Sequence, residues 1–324
     1  MSAAYRRPAI PRRLRRDQTQ FWLEASRESC SLLSRISPAL SARWAEWLFR
    51  TPPPCPPRPR EQAVLARATR RNLEGPRGRI ATWSWGEGRT ILLAHGWGGH
   101  AGRLTRYVDP LTRAGFRVVA FDAPGHGESS GGRVSLPDFT LAVVRIAEQV
   151  GPLYGVVAHC LGATATAIAL REGLPLNRAV FLSPAADPER LSTRFARMLR
   201  LSEAECELMK GRYLQRYNLR WSELKIVDWV RSLSTSLLVF HDRRDFKVPL
   251  AEGQAIVSAW PQGELVMTRG LGHHKILRDA AVIARAVEFL GRTKQETEDR
   301  PRKLDPMRPR PVGDSSPAIA VAPH

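Results

Sequence analysis

The sequence is poor in cysteine, with 4 in 324 residues, at positions 30, 55, 160 and 206. None lies in a C-x-x-C pair or beside clustered histidines, which argues against a disulfide framework and against a zinc-type site. A reducing, cytoplasmic setting is expected, with no metal and no cofactor. Long apolar stretches are also scarce. Positions 151–170 lack Asp, Glu, Lys and Arg, about the length of a membrane-spanning helix, but Gly151, Pro152, Gly155, His159 and Gly162 interrupt the run. A buried strand followed by a buried helix accounts for it better. No apolar core of a secretory signal precedes Arg16, and a soluble protein is expected.

Acidic residues are outnumbered, 31 against 50 Lys and Arg, giving a formal net charge of +19. The excess is concentrated at the front, where the first 80 positions hold 17 arginines and 6 acidic residues, with Arg6, Arg7, Arg12, Arg13, Arg15 and Arg16 clustered. A solvated arm is the ordinary reading of such a cluster. No nucleic acid partner is expected; weak contact with an anionic membrane surface through this basic N-terminus stays open.

The chain divides into three parts on composition. Residues 1–60 read as the basic arm, two amphipathic helices and a proline-rich linker. The first helix carries Trp22, Ala25, Ser29, Leu32 and Ile36; the second, capped by Ser37-Pro38, carries Leu40, Trp44, Trp47 and Leu48. Residues 61–290 form the main domain. Its β-rich runs (80–85, 90–95, 116–122, 154–159, 178–183, 236–241 and 264–268) alternate with helical ones (101–114, 136–150, 161–172, 250–260 and 279–290). That rhythm predicts an α/β fold, a mostly parallel central sheet with helices on both faces. A largely helical insertion at about 188–233 reads as a lid. Residues 291–324, rich in charge and proline, read as a disordered tail.

Four segments carry chemistry. Ala158-His159-Cys160-Leu161-Gly162 joins an apolar strand to an Ala-rich helix, and small residues two places either side of Cys160 suit a sharp strand-to-helix turn. Leu92-Leu93-Ala94-His95-Gly96-Trp97-Gly98-Gly99 follows an earlier strand. Phe121-Asp122-Ala123-Pro124-Gly125-His126-Gly127-Glu128-Ser129 is a glycine-rich turn, read as structural. Finally, Asp242-Arg243-Arg244-Asp245-Phe246-Lys247-Val248-Pro249 and Gly270-Leu271-Gly272-His273-His274 offer an acid and a histidine downstream of Cys160.

In this order the segments resemble the α/β-hydrolase fold family over residues 79–290, with G-x-S-x-G altered to A-x-C-x-G. The resemblance implies Cys160 as nucleophile, His273 as base and Asp245 as acid, with the backbone N–H groups of Trp97 and Leu161 as oxyanion hole. Asp242 and Asp187 are rival acids, and His274 is a rival base. Such a Cys-His-Asp set is similar to those of dienelactone hydrolases and polyhydroxyalkanoate synthases; the overall likeness is to bacterial α/β-hydrolases that usually carry serine.

An elbow cysteine at a helix N-terminus beside a histidine has the features that activate a thiol nucleophile. The expected activity is acyl hydrolysis of small-molecule carboxylic esters or thioesters through a covalent acyl-enzyme. Because a thiolate leaves more readily than an alkoxide, thioesters and activated esters are favoured substrates. An acyltransferase with the same triad and a non-catalytic binding protein on a hydrolase scaffold are the alternatives. Oligomeric state is not legible.

Overall fold

The structure, a computed structural model, describes residues 12–292, with side chains from position 21. Residues 1–11 of the arm and 293–324 of the tail lie outside the described residues.

Eight strands form one sheet: β1 (Thr69–Gly75), β2 (Gly78–Trp85), β3 (Arg89–Ala94), β4 (Phe116–Phe121), β5 (Leu153–His159), β6 (Arg178–Leu182), β7 (Ser236–Asp242) and β8 (Gly263–Thr268). Their spatial order is β1-β2-β4-β3-β5-β6-β7-β8. The β1–β2 and β2–β4 pairs are antiparallel and every other pair is parallel. The helices are α1 (Arg12–Ile36), α2 (Pro38–Phe49), α3 (Pro59–Leu65), α4 (Val108–Arg113), α5 (Leu136–Val150), α6 (Leu161–Arg171), α7 (Pro188–Met198), α8 (Glu203–Tyr217), α9 (Trp221–Leu224), α10 (Leu250–Ala259), α11 (Gly272–Lys275) and α12 (Ala280–Gly291).

Both faces of the sheet are covered, and the period-2 alternation of strand side chains divides the core in two. Leu92, Val156, Phe181 and Val239 belong to one buried cluster, with Phe139 of α5 and Ile168 of α6. Their chain neighbours Leu93, Val157, Val180 and Phe240 belong to the other, with Leu111 of α4 and Phe289 of α12. Fully burying a Phe or Leu is worth about 2 kcal/mol, so the central strands anchor the loops at their ends.

Three features depart from the sequence expectation. β1 was not anticipated: Thr-Arg-Arg-Asn-Leu-Glu-Gly is polar because the strand is an exposed edge, where charges discourage further pairing. The single helix expected over 101–114 is split into a 3-10 segment, Ala101–Tyr107, and α4. Pro110 lacks the N–H that a continuous helix would use there. The first helix also starts at Arg12, inside the segment read as an arm, in a run of good helix formers.

α7, α8 and α9 lie between β6 and β7. Cys30, Ala42 and Ala45 of α1 and α2 share a small buried cluster with Ala196, Leu199, Cys206 and Met209 of this insertion. Buried Glu46 accepts from both Arg50 and Arg216, each at 3.0 Å, and Arg50 donates to the Tyr217 hydroxyl at 2.9 Å. Phe21, Trp22, Leu32 and Ile36 of α1 remain exposed. Among the described residues, no helix is long and apolar enough to cross a membrane.

Candidate active site

The carboxyl ends of β3, β5, β7 and β8 converge, which is where open α/β sheets bind ligands. Cys160 sits between β5 and α6 with φ 49° and ψ −116°, a positive φ forced on a non-glycine residue. Such a conformation costs about 1–3 kcal/mol and persists only where its surroundings hold it. The Cys160 N–H donates to the Leu182 carbonyl at 3.0 Å, fixing the turn to β6. Glycine is required nearby: a Cβ at Gly162 would lie 2.3 Å from the His95 carbonyl oxygen, and one at Gly96 3.1 Å from the Cys160 Cβ. The loop after β3 therefore packs directly on the elbow.

Asp245 and His273 come together. The His273 Nδ1 lies 2.7 Å from the Asp245 Oδ2, and the imidazole is near enough to Cys160 for the thiol to act on its charge. The second Asp245 oxygen accepts from the backbone N–H of Lys247 at 2.8 Å and of Val248 at 3.0 Å. Burial works against the Asp245 charge, but the His273 hydrogen bond and charge and those two amides outweigh it, holding the carboxyl down at about 2. Burial likewise works against imidazolium at His273, and the hydrogen bonds and charges of Asp245 and Cys160 lift it to about 9. Cys160 is 9% exposed and packs with Ala185, Val248 and Leu191.

The rivals have other work. Asp242 accepts from Arg244 N–H at 2.9 Å, Thr268 hydroxyl at 2.8 Å and Leu271 N–H at 2.9 Å, tying together the loops after β7 and β8. Asp187 caps α7, accepting from the N–H groups of Glu189 and Arg190. His274 is exposed beside His273, with ring centroids 5.1 Å apart.

The Leu161 N–H is the first amide of α6 and has no intrahelical acceptor. Neither it nor the Trp97 N–H donates to an acceptor among the described residues. The loop carrying Trp97 is braced by two histidines. His95 Nε2 accepts from the Ala123 N–H at 2.9 Å, which puts its proton on Nδ1, 2.8 Å from the Gly96 carbonyl. His126 Nε2 accepts from the Gly98 N–H at 3.1 Å. Burial pushes His126 down to about 4 and His95 well below its ordinary value, so both are neutral scaffolding near pH 7. Ser129 is scaffolding too: its hydroxyl accepts from Ala81 N–H at 2.9 Å and donates to the Asp122 carbonyl at 2.5 Å.

Sequence reasoning missed His159. Its ring is buried, 4.6 Å from that of His273 between centroids, and its Nε2 lies 3.2 Å from the His273 carbonyl oxygen. It braces the histidine loop from the residue preceding Cys160, and nothing in a single sequence marks that position. Among the described residues, no group of His, Cys, Asp and Glu has the arrangement of a metal site.

Residues 87–223 match the family model of serine aminopeptidase, S33. A monoacylglycerol lipase of Mycolicibacterium smegmatis is 39% identical over 69 residues, 21% of this chain and 23% of that protein. A serine hydrolase-like protein of Danio rerio is 33% identical over 94 residues, 27% of this chain and 28% of its own length. The chain thus matches about a quarter of the length of these curated relatives. The esterase Pf2001 of Pyrococcus furiosus superposes with a TM-score of 0.59 at 20% identity, over 74% of this chain and 98% of that one. A thermophilic esterase of Thermogutta terrifontis gives 0.52 at 17% identity, over 68% and 97%. With its eight-stranded, mostly parallel sheet, its strand-to-helix elbow at residue 160 and these neighbours in structure, the chain has the α/β-hydrolase fold.

Proposed function

We propose that the protein is an acyl hydrolase acting on carboxylic esters or thioesters, with Cys160 as nucleophile, His273 as base and acid, and Asp245 as the group that orients the imidazole. The observation that carries the reading is the 2.7 Å pairing of His273 with Asp245 beside the strained elbow that bears Cys160. Partial likeness to a monoacylglycerol lipase and to esterases supports ester chemistry.

In the first half-reaction the Cys160 sulfur, its proton held on His273, adds to the acyl carbon. The carbonyl oxygen becomes an oxyanion, for which the N–H groups of Trp97 and Leu161 are the donors, each worth about 3 kcal/mol in the transition state. Collapse expels the alkoxide or thiolate, which takes a proton from imidazolium, and leaves a thioester on Cys160. Acylation removes one of the charges that raise His273, so more of the ring is neutral and free to accept a proton from water. Hydroxide addition and loss of the Cys160 thiolate release the acid and restore the site.

Kinetics on p-nitrophenyl esters and neutral thioesters of matched acyl length test the reading. Cys160→Ala is expected to lose activity to background. Cys160→Ser is expected to retain a measurable fraction on esters, since the other parts of the site suit a serine hydroxyl. Full activity in Cys160→Ala refutes the proposal.

A further inference from the structure

Near the elbow lie Lys247, Arg194 and Arg103, none of which forms an ion pair with a carboxylate among the described residues. Lys247 lies two residues beyond Asp245, in the turn whose amides hold that acid, and next to Val248, which packs against Cys160. The Arg194 guanidinium, reaching from α7, donates to the carbonyl oxygens of Phe246 and Lys247 and so clamps this turn. Arg103 belongs to the 3-10 segment that follows the Trp97 loop, and it is half-buried. It is within electrostatic range of His159, His274 and Lys247, and Lys247 is within range of Cys160.

Among the described residues neither Arg103 nor Lys247 makes an ion pair with a carboxylate, whereas Arg50, Arg67, Arg70, Arg77 and Lys210 all do. Asp245, an acid that acts on Lys247, is already committed to His273. Lys247 is exposed as a residue, yet its ammonium is partly desolvated: that desolvation and the charges of Arg194 and Arg103 lower its pKa against the pull of Cys160. His274 feels the same field. Solvent reaches the residue, but desolvation of its ring, and then Lys247, push it down to about 3, leaving a neutral imidazole at the rim.

Unpaired surface cations are common and worth little individually. These are different because Lys247 acts on Cys160 and is itself within range of Arg103 and Arg194, beside the N-terminal amides of α6 that no side chain caps, where the positive end of the helix adds to the field. A cleft lined by one sign of charge concentrates ligands of the other sign.

We propose that the preferred substrate is an ester or thioester carrying an anionic group, a carboxylate or a phosphate, close to the scissile bond, held by Arg103 and Lys247. The proposal rests on the acyl-hydrolase reading of the same site and narrows it.

Two matched pairs test it with the full chain: a p-nitrophenyl alkanoate against the p-nitrophenyl monoester of a dicarboxylic acid of equal length, and an S-acyl N-acetylcysteamine against the same acyl group on 2-mercaptoethyl phosphate. The first pair reads a carboxylate on the acyl side, the second a phosphate-bearing leaving group. The anionic member of at least one pair is expected to have the higher kcat/KM by about tenfold, a difference that shrinks as salt is raised. Lys247→Met and Arg103→Met are each expected to lower the anionic-to-neutral ratio several-fold, and Lys247→Glu to lower it further. The ratio is the readout, because any general loss from disturbing the Asp245 turn cancels in it. Equal or faster turnover of the neutral member in both pairs, or a ratio unmoved in all three variants, overturns the proposal while leaving the hydrolase reading intact. No turnover of any of the four compounds removes both.

Discussion

Cys160 holds a strained backbone because three neighbours leave it no alternative: the Leu182 carbonyl takes its N–H, and Gly96 and Gly162 allow the loop after β3 to close against it. The strain turns a side chain outward at the helix N-terminus, where His273 meets it. That meeting makes a testable demand on pH. The His273 pKa of about 9 lies above the ordinary 6.5, so its stabilising contribution is complete below about 6.5 and is lost as pH rises through about 9. Asp245, at about 2 against an ordinary 3.8, contributes fully above that ordinary value and loses its contribution only as pH falls through about 2. Thermal stability of the native chain should therefore fall on the alkaline side between pH 7 and 9 and be flatter there in Asp245→Asn. The same substitution removes the charge that sustains imidazolium. It should cut kcat/KM on the order of 10⁴-fold and move the alkaline limb of the pH–rate profile below about 9. An unchanged limb contradicts the role given to Asp245. At this scale the sequence was most legible for groups embedded in motifs, Cys160, Asp245 and His273. It was silent on His159, Arg103 and Lys247, whose neighbours are set by tertiary packing alone.

Among the elements, α1 and α2 act with the insertion after β6 as one packed unit. The joint is a small apolar cluster around Cys30 and Met209 and a buried polar knot of Glu46, Arg50, Arg216 and Tyr217. Removing one member of such a knot leaves a buried charge uncompensated. Glu46→Ala should therefore cost about 3 kcal/mol, read as a lower urea midpoint, with a smaller loss in Glu46→Gln, which keeps the shape and a hydrogen-bond acceptor. No loss in Glu46→Ala would mean that the knot contributes nothing to stability. The central strands and most helices were legible because burial on both faces writes continuous apolar runs for β3 to β7 and amphipathic periods for α5 and α12. β1 was not, since an exposed edge strand has no reason to be apolar. Nor was the docking of α2 on α8: an apolar stripe on a helix announces that it packs, and leaves its partner undetermined.

In the whole molecule, the order of strands brings together residues from 96 to 273, and the two glycine-bearing loops, the elbow and the histidine turn depend on one another for geometry. The claim at the centre is that this assembly forms a covalent acyl-enzyme on Cys160. Acid-quenched intact-mass analysis of the full chain, mixed for milliseconds to seconds with a p-nitrophenyl ester or a thioester, tests it most directly. The expected result is a one-acyl mass increase that maps to the peptide containing Cys160, forms with a burst of leaving group, decays with turnover and is absent from Cys160→Ala. Turnover with no adduct at Cys160 in any time window, together with equal rates in Cys160→Ala, would contradict the account.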